Sequence, residues 1–159
     1  MAQADYFLKI DGIPGESRDS KHKDEIELVS FSWGLTNVPS HAGAGSASGR
    51  ASFQDFHFTR PVDKASPQLF LACASGKHIK EANLSVRRAG KSQLEYLKIK
   101  FSDVLVTSIQ DGAGGGDVAQ ESVALAFSRI DFEYHQQVVK GAPAGAVNAG
   151  WNLAKNAKV

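Results

Sequence analysis

Three runs of alternating apolar residues change phase midway, and this constrains the fold more than any other feature of the sequence. Phe53 lies on one parity, Phe56 and Phe58 on the other. Leu97, Ile99 and Phe101 give way to Val104 and Val106, and Val123, Leu125 and Phe127 give way to Ile130, Phe132 and Tyr134. Side chains alternate faces along a strand, so a one-residue slip turns an apolar set to solvent unless the backbone carries an extra residue there. The slips fall near Gln54 and Asp55, Ser102 and Asp103, and Ser128 and Arg129, and each reads as a β-bulge. Long strands bent at such points curl into a barrel or turn a sandwich corner.

The other segments are consistent with a mostly β chain. Residues 6–10 read as a first strand, ended by the turn run Asp11-Gly12-Ile13-Pro14-Gly15. Residues 16–24 are polar and charged and read as a solvated loop. The strand predicted over 25–35 carries Phe31 and Trp33 into the core and turns Ser30 and Ser32 outward. Residues 37–49 form a long loop of Gly, Ala and Ser, with side chains too small to anchor it within its own domain. Further strands are predicted over 52–59, 82–88, 93–109 and 122–135, with a hairpin turn over 111–117 and a last strand around 151–153. One helix stands among them. Ser66 suits its N-cap, Pro67 its first position and Gly76 its left-handed terminator, with Leu69, Phe70 and Cys73 as the apolar stripe. Such a helix would plug or flank a barrel end. With no internal repeat and no linker between two cores, residues 1–159 read as a single domain, long enough to bury roughly 70% of the unfolded surface.

Composition closes several functional classes. A net charge of +1 supplies no field to gather phosphates, so nucleic acid is not an expected partner, and Arg87, Arg88 and Lys91 read as a solvated strand end. No run approaches the roughly 20 apolar residues that cross a bilayer, and the N-terminus lacks the basic and apolar regions of a signal peptide. Cys73 has no partner for a disulfide and reads as a buried structural thiol. His22, His41, His57, His78 and His135 show no metal-ligand spacing, and no Gly-x-Ser-x-Gly elbow is present. The glycines of 112–117 precede a strand, and Ser75-Gly76-Lys77 closes a helix where a phosphate loop opens one. Glu25 and Glu27 read as alternating charges on an exposed strand edge. No catalytic residue, metal or cofactor is therefore expected, and function should lie in surfaces presented to other proteins.

Several motifs, in order, resemble the Hcp family, the tube proteins of bacterial type VI secretion. They are Gly15-Glu16-Ser17, Phe31-Ser32-Trp33-Gly34, and the block from Phe58-Thr59-Arg60-Pro61 through Val62-Asp63-Lys64-Ala65 to Ser66-Pro67. Cys73-Ala74-Ser75-Gly76-Lys77-His78, Glu95-Tyr96 and Gly150-Trp151-Asn152 complete them. The resemblance spans residues 6–153. It departs at Ser40-His41-Ala42-Gly43-Ala44-Gly45-Ser46, where many relatives carry a denser glycine run.

The resemblance implies a compact barrel of two β-sheets with one short flanking helix. It further implies a homohexameric ring, stacked with others into a hollow tube that a contractile sheath propels behind a VgrG-like spike. Some relatives carry or chaperone effector proteins in the lumen. The protein would be made in the bacterial cytoplasm and exported without a signal peptide. Some relatives extend beyond the barrel into toxin domains, and no such extension is expected here. Ser30 and Ser32 are the candidates for the lumen face. Ser40, His41, Gly43, Gly45 and Ser46, in the unanchored loop, are the candidates for contact with a neighbouring subunit or ring. The competing reading is a ligand- or carbohydrate-binding β-barrel, with Trp151 as its aromatic platform. If residues 37–49 bridge subunits, hydrogen–deuterium exchange should show them protected in tubes and labile in single rings; equal exchange in both would contradict that.

Overall fold

The computed structural model describes residues 4–39, 49–88, 94–136 and 145–159. The chain begins with β1 (Ala4–Ile10), β2 (Ile26–Leu28), β3 (Ser30–Ser32), β4 (Leu35–Asn37), β5 (Ala51–Phe53) and β6 (Phe56–Pro61). After α1 (Ser66–Ser75) come β7 (His78–Arg88), β8 (Glu95–Gly112), β9 (Gln120–Ala126), β10 (Arg129–His135), β11 (Ala146–Asn152) and β12 (Ala157–Lys158).

β8 belongs to two arms of one sheet. Its residues 97–102 pair with β10, and residues 105–112 pair with β9. One arm runs β12-β11-β10-β8-β7-β1-β2, and the other continues from β8 through β9 and β6 to β3. Together they make a ten-stranded sheet, beside which β4 and β5 form a separate two-stranded ribbon. The arms face each other across one apolar core, giving the expected two-layered β-barrel with bent strands and one short helix. Its two layers belong to one folded-over ladder. Among the described residues no ladder joins β2 to β3, so hydrogen bonds do not close the barrel.

Each phase slip marks a change of neighbour. Residues 54 and 55 separate β5, in the ribbon, from β6, in the main sheet. Asp103 lies between the two pairings of β8, and Ser128 lies between β9 and β10. Phe101 and Val104 are accordingly both buried, as are Phe127 and Ile130. The aromatic centre crosses the layers: Phe56 of β6 lies 4.7 Å from Phe101 of β8, which lies 4.8 Å from Phe127. Tyr6 of β1 meets Phe31 of β3 edge-on at 5.2 Å.

The strand predicted over 25–35 is broken into β2, β3 and β4. Ile26 and Leu28 are buried while Val29 is 61% exposed, because the chain leaves β1 and crosses to β6 at that point. The Val29 amide donates to Thr59 at 2.9 Å, before β3 takes up its register. The apolar set changes parity here as well, from Ile26 and Leu28 to Phe31 and Trp33, so one regular strand over 25–35 could not bury both pairs. Two further register shifts fall between Val86 and Arg87 and between Val106 and Ser108, the second where the apolar parity passes from Val106 to Ile109.

The helix differs from expectation at its start. Ala65 is the N-cap, and Ser66 is the first helical residue, with Pro67 next. The Ser66 hydroxyl accepts bonds from the Asp63 amide and from Arg60 instead of capping. Gly76 ends the helix in the left-handed conformation at φ 67°, as predicted. Leu69 and Ala72 are the buried positions, Cys73 is half-buried, and Phe70 faces solvent at 59% exposure.

Arg60 explains that arrangement. Its guanidinium, 1% exposed, sits 2.7 Å from Asp63 and 3.2 Å from the equally buried Glu121 of β9, and donates to the Pro61 carbonyl. A cation removed from water is tolerated only when paired and hydrogen-bonded on several sides. The cluster ties the entry of α1 to β6 and β9. Burial pushes the Glu121 carboxyl above its usual range; Ser66 and Arg60 oppose that shift and Asp111 reinforces it. Replacing Arg60 with Met should cost about 3 kcal/mol or more, because two carboxylates lose their cation. Urea denaturation should show this, and a variant as stable as the parent would refute the assignment.

Candidate assembly surfaces

The outer faces of the two arms differ in chemistry. On the arm β3-β6-β9-β8, register places Ser30 beside Thr59, Thr59 beside Ser122, and Ser122 beside Gln110. The next row is Ser32, His57, Ala124 and Ser108. Apart from His57 no residue of these rows is ionisable, and Ser30 shares a 2.5 Å hydrogen bond with Thr59. The opposite parity carries Phe56, Phe58, Val123 and Leu125 into the core. Ser30 and Ser32 are thus exposed on a neutral face rich in hydroxyls, as the sequence indicated.

On the other arm, charges cover the strands. Lys100 pairs with Glu81 at 3.2 Å and Lys98 with Glu95 at 3.5 Å, with Asp131 and Glu133 in register beside the two lysines. Here residues 16–24 are exposed for the most part, as expected of a solvated loop, but Ser17 and His22 are buried and Asp19 half-buried. They lie over β1, where Phe7, on the outward parity, is buried. His22 stacks on Phe7 with 4.4 Å between ring centroids. Its Nδ1 contacts Glu25 at 2.9 Å, and its Nε2 contacts Glu95 of β8. Glu25 is therefore a partner for a buried imidazole and not a free edge charge. Arg87 is likewise buried. It bonds Asp5 and both oxygens of Asp19 and lies 4.8 Å over the Phe7 ring, so it is no solvated strand end. These partners are 68 to 82 residues apart in the chain, beyond the reach of any local pattern.

A cleft of about 590 Å³ opens between the β4–β5 ribbon and β10–β11. Trp33, Leu35, Phe53, Ile130, Phe132 and Trp151 line it, and among the described residues no charged side chain does. Trp33 lies 5.9 Å from Phe132. Trp151 is half-buried against the core, a wall of this cleft and not an open platform.

The loop candidates Ser40, His41, Gly43, Gly45 and Ser46 lie outside the described residues, as does Lys91. Among the described residues no group of three or more His, Cys, Asp or Glu side chains could hold a metal ion, and no helix is long and apolar enough to cross a membrane.

The fold, a bent β-sheet folded over one core with a short helix, is shared with solved proteins of type VI secretion systems. The family described as "Type VI secretion system effector, Hcp" matches residues 7–134, and the chain belongs to it. It is 41% identical over 156 residues to protein hcp1 of Pseudomonas aeruginosa, with 96% of each chain covered. Among solved structures it is similar to Hcp1 from Salmonella typhimurium, with a TM-score of 0.81 and 40% identity over 99% of this chain and 100% of that one. A type six secretion system protein matches with a TM-score of 0.90 and 30% identity over the same shares.

The Arg87 pair sets an acid limit on the charged arm. Its hydrogen bonds, opposed by burial, hold the Asp19 carboxyl at about 2 against an ordinary 3.8. A carboxylate depressed by folding contributes stability that is complete above its unfolded value and is lost as pH falls through the folded one. Denaturation at a series of pH values should therefore show the parent's advantage over Asp19→Asn shrinking between pH of about 4 and about 2. An advantage independent of pH in that window would contradict the pairing.

Proposed function

We propose that this chain is a tube subunit. Copies form a homohexameric ring, rings stack into a hollow tube, and the neutral β3-β6-β9-β8 face lines the lumen. The observation that carries this reading is that the neutral arm has two open edges. Among the described residues β3 has β6 as its only ladder neighbour, and residues 106–112 of β8 have only β9. A short strand edge at each end of one arm lets that arm continue into the next copy on both sides. Such a head-to-tail interface closes into a ring when the rotation allows.

The contrast between faces supports the orientation. A wall of hydroxyls and amides offers short-range hydrogen bonds to a passing effector without a long-range field that would trap one sign of charge. The charged arm then faces outward, toward the contractile sheath, with the VgrG-like spike meeting the tube end. Effector carriage is assigned to the lumen. A subunit of such a wall needs no nucleophile or cofactor, and export proceeds through the tube without a signal peptide.

Native mass spectrometry should give a ring of six copies, and a monomer at high concentration would overturn the reading. Ser32→Gln should leave the ring intact while crowding the lumen and reducing effector retention. Unchanged retention in an intact ring would remove Ser32 from the lumen face.

A further inference from the structure

We infer that α1 of one copy docks its exposed apolar ridge into the aromatic cleft of the next copy; this rests on the ring reading above. The ridge is unusual for a surface helix. None of the ten residues Ser66–Ser75 is charged, and Phe70 and Leu71 are 59% and 61% exposed. A solvent-facing helix ordinarily carries charged side chains on its free face. Adjacent large apolar residues left bare on such a helix mark an interaction site.

The complementary surface lies on the same chain. The cleft is walled by Trp33, Phe53, Phe132 and Trp151, and at about 590 Å³ it exceeds what a single side chain fills. Neither surface carries a charge, so their union strands no ion away from water. Among the described residues nothing fills the cleft, and Leu35 on its lining is 48% exposed.

Position selects a second copy as the occupant. Trp33 follows directly on Ser32, the last residue of β3, so the cleft begins where one open edge of the neutral arm ends. α1 packs on β8, the strand that bears the other open edge. Pairing β3 of one copy with residues 106–112 of its neighbour therefore brings cleft and helix to the same junction. Ridge and cleft are distinct patches, as a head-to-tail contact requires. The lateral interface then has two parts: backbone pairing that sets register, and an aromatic socket that supplies apolar burial.

The test uses the full chain with Cys73→Ser, to which Leu71→Cys and Leu35→Cys are added together. Mild oxidation should link neighbouring copies into a covalent ladder ending at the ring, reversed by reductant, and neither single cysteine variant should do so. In parallel, Leu71→Lys should raise the concentration for half-assembly by about tenfold or more. Its melting as a protomer should be unchanged, since the site is exposed. Rings that persist undiminished in Leu71→Lys and yield no interchain disulfide in the cysteine pair would overturn the socket and leave the ring reading standing. A parent protein that never assembles would overturn both.

Discussion

The turn of β8 at Asp103 is the constraint on which the rest of the molecule depends. Asp103 adopts φ 53°, a left-handed conformation that asparagine and aspartate tolerate better than most residues. Neighbours hold it there. Ser128 donates to one carboxylate oxygen at 2.8 Å, His78 Nδ1 lies 3.0 Å from the other, and the Ser128 amide donates to the Ser102 carbonyl at 3.0 Å. The Ser128 bond, then that of His78, keeps the Asp103 carboxyl below its usual range. This corner joins the start of β7, the middle of β8 and the passage from β9 to β10. Because the strand turns here, one ladder serves both layers, and Phe101 and Val104 reach the same core from opposite parities.

The two layers then diverge in how they treat charge. Within the neutral arm Arg60 and Glu121 point inward, where with Asp63 they fasten the helix to the sheet, and His57 is the ionisable residue of the two outer rows. On the other arm they lie outside, and the segment 16–24 folds over them through His22 and Asp19. Buried pairs of this kind add modestly to net stability, yet removing one member leaves the other stranded. They act as registration pins: Arg60 fixes where α1 begins, and Arg87 fixes how residues 16–24 lie on β1. The outcome is one outer face whose rows are mostly neutral and one with many charges, on a protein of net charge +1.

Much of this was legible in the residues. The three phase slips located the corners, since a period-two pattern reports any extra residue directly. Ser30 and Ser32 were placed outward because their strand neighbour Phe31 is apolar. Other features were not legible, for a physical reason. The break at Val29 leaves a parity change, from Ile26 and Leu28 to Phe31 and Trp33, but alternation does not say that the chain passes from β1 to β6 there. The partners of Arg60, Arg87 and His22 are set by which strands meet, and a charged residue in sequence looks the same paired or solvated. Phe70 read as a stripe position with Leu69 and Cys73, yet the helix turns it away from the barrel.

By itself, then, the sequence determined the mostly β character, the sharp bends, the helix terminator at Gly76 and, through ordered motifs, the family. Alternation, turn chemistry and glycine conformation are local properties, so they are written locally. Only the tertiary structure decided that both layers are one folded sheet, that its arms differ in the charge of their outer faces, and that among the described residues the neutral arm ends in two unpaired strand edges near an exposed apolar helix face and an aromatic cleft. Those features depend on residues far apart in the chain meeting in space, and no local pattern carries that information.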